Sequence, residues 1–517
     1  MLKGLIFTDT YVLARNLSVQ QEDIQCVLHQ YIAQSSPYVE WHIVDVADPM
    51  YADTVDSDDW FSYAKILTDF YYGLGLNEHQ NCPLFIIGGV NEIPMPWITN
   101  PLAGAIVGGS EYLYADMLYC FNYEGVSGIQ PSSLINQPPR FAVGRLPLSS
   151  QHTITDLNVY LKNSVTYLSS GIYVRGAAMT TTESWLTAST DMMHDIPVSI
   201  LDNDYVPLNN RMIVSPLLDT EIPDMYEGYV HELDKIDFLV CNLHGSDQEG
   251  AAFFLGQDKE FLHYFTATQP SMLKYTCPLI FNTVACHGAR FVGYSVDDSM
   301  LFAALRNGTM IYTGSCDTSY GGYFGQAGNS ELMMKLYNIY LHKGMPAGMA
   351  LIKAKQDYYR TCHNDDGDEY AMFTILEFNL FGCPILSMQP KLAADYQPIL
   401  LGHRVAEKSL IPTYRPKTMT PIIQTAYNAD DIHAYVQALV DGNIYHIRSI
   451  VEKEVYARLG LPAENLQQIL TISQDSYEIG YQFIYCWTPQ ESYRPFQMYW
   501  LVNTDKQGKI TKILHTK

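Results

Sequence analysis

Short apolar runs separated by stretches of helical periodicity recur through most of the first 390 residues, and this alternation constrains the fold more than any other feature of the chain. "GLIFT" (4–8), "WHIVDV" (41–46), "PLFIIGG" (83–89) and "RFAVGR" (140–145) form one series of candidate strands. A second series comprises "VRGAAMTT" (174–181), "RMIVSP" (211–216), "DFLVCNL" (237–243), "PLIFNTVA" (278–285) and "TMIYTG" (309–314). The runs are near-continuous in apolar residues rather than alternating, which is the pattern of strands covered on both faces. Between them the spacing predicts helices over 58–75, 299–308, 329–344 and 346–360. An α/β fold follows, with two α/β halves of mainly parallel strands over 1–150 and 151–392, joined by a helix over 155–168.

Beyond residue 392 the pattern changes. Residues 393–428 contain Pro, lack periodicity and read as a linker. Residues 429–517 predict a small α+β domain: helices over 429–442 and 450–460, then strands over 477–487 and 496–514, the second folded back at a Lys-Gln-Gly turn. A chain of 517 residues is expected to divide into several such units.

Composition narrows the function. With 55 acidic against 31 basic residues the formal net charge is −24, which repels phosphate backbones and anionic lipid and argues against nucleic-acid and membrane partners. No run of about 18 apolar residues is present. The opening stretch "MLKGLIFTDTYVLARN" has too short an apolar segment for a signal peptide. The ten cysteines are scattered singly, as reduced core thiols are, and not arranged as a disulfide framework. Together these features predict a cytoplasmic protein.

Two strand ends carry chemistry. The run 237–243 leads into His244-Gly245, and the run 278–285 stops at Cys286-His287. Ligands of open α/β sheets bind beyond the carboxyl ends of the strands, so neighbouring parallel strands would bring His244 and Cys286 together. An imidazole beside a thiol raises its thiolate fraction at neutral pH. Gly245 lets a substrate backbone come close, and its N–H together with that of Cys286 would hold an oxyanion. These parts make an acyl-transfer site. A lone buried cysteine is ordinary core, so the signal lies in the pair and its order. A zinc site drawn from Cys241, His244, Cys286 and His287 is the competing reading; residues an odd number apart on a strand face opposite sides, which sets Cys241 against sharing a metal with His244. His287 diverges from its neighbour Cys286 and is expected to line the mouth of the site. The stretch "SCDTSYGGYFGQAGNS" (315–330) is Gly-rich but lacks a GxxxxGK[ST] pattern and any basic residue, so it is expected to be a loop over the cleft, with Asp317 placed to contact substrate.

A strand ending in His-Gly followed by one ending in Ala-Cys resembles the paired signature of the caspase-like (clan CD) cysteine peptidases, and four further stretches resemble the gingipain family within it. These are "PLFIIGGVNEIPMP" (83–96), "YADMLYCF" (114–121), "PPRFAVGRLPLSS" (138–150) and "TILEFNLFGCPIL" (374–386), the last with Cys383 where the family has Asp. The resemblance covers roughly residues 1–390. It implies two caspase-like subdomains, of which the second carries a Cys286 nucleophile and a His244 base, and it implies a protein or peptide substrate. By position it also implies that Glu183 orients the histidine. Asp191 and Asp195 stand where the family selects a basic side chain before the cut, whereas an inward Arg290 would favour an acidic one. No metal or organic cofactor is required for such chemistry; structural calcium, common in the family, is permitted by the acidic composition. The C-terminal domain is a candidate regulator or docking module for a partner. The alternative is a silent or latent caspase-like scaffold, and a third reading has the same dyad transferring acyl groups to an amine.

Overall fold

The computed structural model describes residues 2–516 apart from 52–53, 57–58, 78–79, 101, 103–109, 122–134, 136, 175–176, 182–184, 195–211, 215–236, 247–251, 256–261, 266–277, 296–298, 323–327, 363–368, 389–443, 475–477, 488–497 and 506. In the first half, β1 (Leu2–Thr8), β2 (Val39–Asp45) and β3 (Cys82–Ile87) precede a two-stranded ribbon, β4 (Trp97–Thr99) and β5 (Tyr112–Tyr114), and then β6 (Phe141–Leu146). The second half supplies β7 (Ala177–Thr181), β8 (Met212–Val214) and β9 (Phe238–Asn242), then a small antiparallel sheet of β10 (His244–Ser246), β11 (Ala252–Leu255) and β12 (Leu262–Phe265). It continues with β13 (Ile280–Thr283), β14 (Ile311–Ser315), β15 (Tyr320–Gly322) and β16 (Phe378–Gly382), and β17 (Leu466–Gln474), β18 (Glu478–Trp487), β19 (Met498–Thr504) and β20 (Ile510–Thr516) follow in the last segment.

The strands of both halves build one ten-stranded sheet, in the order β2-β1-β3-β6-β16-β14-β13-β9-β7-β8. Its neighbours run parallel except β14 and β16, which pair antiparallel over five residues. The two halves meet where β16 pairs with β6 at Phe381 and Arg145. Every residue of β3, β6, β9, β13, β14 and β16 is buried, which explains why these runs are apolar without alternation. The helices that cover the sheet start where local sequence allows. Thr153 and Asp156 form a reciprocal capping box at the start of Ile154–Ser170, and Asp59 caps Trp60–Gly73 through the Phe61 N–H.

The seam between the halves is organised by Arg145. Its Nε and Nη2 donate to the two oxygens of Asp116 at 2.8 and 2.7 Å, and its remaining N–H groups reach the carbonyls of Gly88, Gly89, Ile93 and Pro94 at 2.8–3.4 Å. Asp116 in turn donates its own N–H to Asn379 Oδ1 at 2.9 Å. Gly144 lies against β16 so closely that a Cβ there would run into the Gly382 carbonyl and stand 3.2 Å from Pro384 Cδ. The stretches 83–96, 114–121, 138–150 and 374–386 therefore converge on one buried guanidinium and the joint beside it. Cys383 is fully buried, its Sγ 3.4 Å from the Tyr31 hydroxyl, and burial pushes its thiol up to about 11.

In the last segment a helix, Ile444–Leu459, packs on an antiparallel sheet ordered β15-β20-β19-β18-β17. Alternation along these strands gives the sheet two apolar faces. Tyr481, Phe483, Tyr485, Trp500 and Val502 pack with Val451 and Val455 of the helix. Ile484, Cys486, Tyr499, Leu501 and Leu514 join the main core instead. The turn between β19 and β20 falls at Asp505–Gly508, as the Lys-Gln-Gly signal predicts. The stretches 393–428 and 429–442 lie outside the described residues. Among the described residues no helix is long and apolar enough to cross a membrane.

Candidate active site

β9 and β13 are parallel neighbours in the middle of the second half, and their register sets the site. Cys241 stands opposite Thr283, and the Val284 N–H donates to the Cys241 carbonyl at 2.9 Å. Three residues further along each chain stand His244, the first residue of β10, and Cys286, both past the carboxyl edge of the sheet. The two strand ends touch through Gly245. A Cβ placed there would collide with the Cys286 carbonyl oxygen and stand 3.0 Å from its amide nitrogen. Only glycine permits this approach, which accounts for the Gly that follows His244 where β10 opens, just past the end of β9. Gly245→Ala is expected to cost about 1–3 kcal/mol of stability, because the two segments must separate by a fraction of an ångström or more. A urea midpoint that places the variant within about 0.5 kcal/mol of wild type would show that the contact is dispensable.

The chain then turns sharply. Ala285 N–H donates to Thr283 Oγ1, Gly288 N–H to Ala285 O and His287 N–H to Asp317 O, and His287 is held at φ +55°. This turn aims the Cys286 side chain at the loop after β14. There the Ser319 N–H donates to Cys286 Sγ at 3.2 Å. The sulfur also stands 3.5 Å from the Ser319 carbonyl oxygen, to which the thiol donates, so the same residue meets it with both its donor and its acceptor. Behind it, Ser319 Oγ donates to Ser330 Oγ at 2.7 Å and Ser330 Oγ to Glu377 Oε1 at 3.2 Å; Glu377 Oε2 accepts from Ser315 Oγ at 2.9 Å. All four residues are buried, so the loop that meets the sulfur rests on a hydrogen-bonded carboxylate. Ser319, Ser330 and Glu377 escaped the sequence reading because hydroxyl and carboxylate residues in a Gly-rich stretch and a distant helix carry no shared pattern.

His244 is 1% exposed and Cys286 4%. The His244 ring lies 4.4 Å from the Trp185 ring and 5.2 Å from that of His515, centroid to centroid. Neither Trp185 nor His515 stood out in the sequence, although Trp185 is two positions from Glu183. Glu183 and Asp195 lie outside the described residues. Asp191 is on the helix Leu186–His194, where its Oδ1 accepts from Lys335 Nζ at 2.9 Å, so its charge is already matched. His287, next to Cys286, is 6% exposed. Arg290 and Asp317 face one cavity of about 130 Å³, shared with Ser110, Tyr114 and Glu377. The Asp317 carboxylate also accepts from the N–H groups of Ser110 and Thr318, at 3.3 and 2.6 Å, which ties the loop to the first half of the chain. Among the described residues no group of three His, Cys, Asp or Glu side chains is gathered to hold a metal, so calcium is assigned no residues.

Residues 237–389, which carry β9, Gly245, Cys286, Ser319 and Glu377, match a family model. The model is that of peptidase family C25. The fold over 75% of the chain is similar to 78% of the Arg-specific cysteine proteinase gingipain R, at 12% identity and a TM-score of 0.48. It is similar over the same share to 80% of a chain in the complex of Porphyromonas gingivalis RgpB pro- and mature domains, at 12% identity and a TM-score of 0.47. A further structure, described as a protease, is similar over all of this chain and 97% of its own, at 11% identity and a TM-score of 0.48. No curated protein matches the chain. The C25 segment begins at Asp237, at the head of β9, and runs past β16, so both strand ends and the loop that meets the sulfur lie inside it.

Proposed function

We propose that the chain is a cysteine endopeptidase acting on proteins or peptides through Cys286 and His244. The observation that carries this reading is the contact of Gly245, the residue after His244, with the Cys286 backbone beyond the carboxyl ends of two parallel strands, inside the segment matching family C25. His244 takes the proton of Cys286, and the thiolate, which the Ser319 N–H faces, adds to the carbonyl carbon of a peptide bond. The N–H groups of Gly245 and Cys286 hold the oxyanion that results. Collapse expels the amine, which leaves with the proton from His244. Water then gives a proton to His244 and its oxygen to the thioester carbon. The acid is released and the Cys286 thiol restored. Glu183 orients the His244 ring in this scheme.

Two sets of residues are candidates for choosing the side chain before the cut. Asp191 and Asp195 would suit a basic one, although Lys335 already engages Asp191; Arg290, facing its cavity, would suit an acidic one. Digesting a diverse peptide library with the full chain and sequencing the products by mass spectrometry tests both points. Cuts after Arg or Lys are expected if the aspartates select, and cuts after Asp or Glu if Arg290 does. The peptidase reading fails if no peptide is cut either by the intact chain or by a chain opened at its Asp505–Gly508 turn.

A further inference from the structure

β15 begins at Tyr320, the residue after the Ser319 whose N–H meets Cys286 Sγ. Its partner in the last-segment sheet is β20, antiparallel, with Tyr320 opposite Thr516, Gly321 opposite His515 and Gly322 opposite Leu514. A strand from the far end of the sequence is thus zipped onto the loop that meets the nucleophile. The side chains of β20 continue the contact. His515 lies 5.2 Å from His244 and 5.3 Å from Trp185, and it is stacked at 4.4 Å on Trp500 of β19. Leu514, on the opposite face, is buried in the main core with Leu501. The Thr516 hydroxyl accepts the Tyr499 N–H at 2.9 Å, and Gln482 Nε2 reaches the Tyr370 hydroxyl at 3.0 Å. Trp185, His244, Tyr320 and His515 are each no more than 1% exposed, and Cys286 is 4% exposed. A peptide backbone has to reach Cys286 Sγ to be attacked, and this packing stands in its way.

We infer that the sheet β17–β20 is an autoinhibitory shutter: β20 occupies the edge of β15, His515 fills the space against His244, and the site opens when β20 leaves. Pairing by strand addition suits such a device, because the backbone of a three-residue strand with two glycines offers hydrogen bonds to any extended segment and little side-chain selectivity. An extended peptide competing for β15, or a partner that binds the last-segment sheet, would release the same lock. The inference rests on the peptidase reading only for what the shutter guards; the burial of Cys286 can be measured without turnover.

The test places a recognition sequence for a site-specific protease in the turn Asp505–Gly508 of the full chain. After cutting and gel filtration, the rate of Cys286 alkylation by iodoacetamide is read by peptide mapping, alongside cleavage of the peptide library. Alkylation of Cys286 is expected to rise at least about tenfold on loss of the 509–517 piece, and to fall again when a synthetic 509–517 peptide is added. Leu514→Asp in the uncut chain, which pushes β20 out of the main core and leaves the residues of β15 and Cys286 unsubstituted, should give the same direction of change and covers the case of a cut strand that stays bound. Alkylation that is unchanged or slower in both, with the fold retained by circular dichroism, would overturn the shutter and show that β20 completes the site. Faster alkylation without peptide cleavage would uphold the shutter and count against the peptidase.

Discussion

Cys286→Ala should lower kcat/KM for any cleaved peptide by at least ~10⁴-fold, the scale on which loss of a nucleophile acts when the rest of the site stays in place. Three of the other thiols offer no substitute. Burial pushes Cys82, Cys120 and Cys316 up to about 12, so they stay protonated at neutral pH. The structural cost should be modest by comparison. The alanine keeps the tight turn at 285–288 and leaves the Ser319 N–H without its sulfur acceptor, a loss of about 1–3 kcal/mol. Turnover and thermal melting measured together separate the two effects. Residual turnover above ~1% of wild type in a folded Cys286→Ala chain would mean that another group attacks the substrate.

Arg145→Met should produce the largest loss of stability of any single substitution considered, about 3–5 kcal/mol. The guanidinium is fully buried, and it neutralises the equally buried Asp116 while satisfying four carbonyls of the 88–94 segment. Methionine fills similar volume but leaves the carboxylate without its counter-charge and the carbonyls without donors. Urea denaturation of Arg145→Met and of the double variant Arg145→Met/Asp116→Leu distinguishes the causes. The double variant should recover part of the loss, since the stranded charge is then gone. If the single variant melts within about 1 kcal/mol of wild type, Arg145 does not hold the seam.

Strand positions were legible because a strand buried on both faces must be apolar at every position, and that is a local property of "PLFII", "RFAV", "FLVC" and "LIFN". The candidate dyad was legible for a related reason. A functional group on a parallel sheet sits just past an apolar run, so His244 and Cys286 stand out against their own neighbours. Less could be read of what surrounds them. β16 was visible as a motif, but nothing in "FNLFG" says that it runs antiparallel to β14 and parallel to β6, so the joining of ten strands into one sheet stayed hidden. Nothing in the sequence places Lys335 beside Asp191, whose position alone suggests an acid that selects a basic side chain.

The sequence by itself determined the α/β class, the alternation of elements, the two strand ends, and the Lys-Gln-Gly hairpin of the last segment. Each of these is written in the spacing of apolar and turn residues within a single element. Tertiary structure alone decided that Gly245 presses on Cys286, that four separate motifs serve one buried arginine, and that His515 comes to rest 5.2 Å from a histidine 271 positions earlier in the chain. Those contacts join residues far apart in sequence, and the free energy that selects them comes from packing whole elements together, which leaves no periodic trace in any one of them.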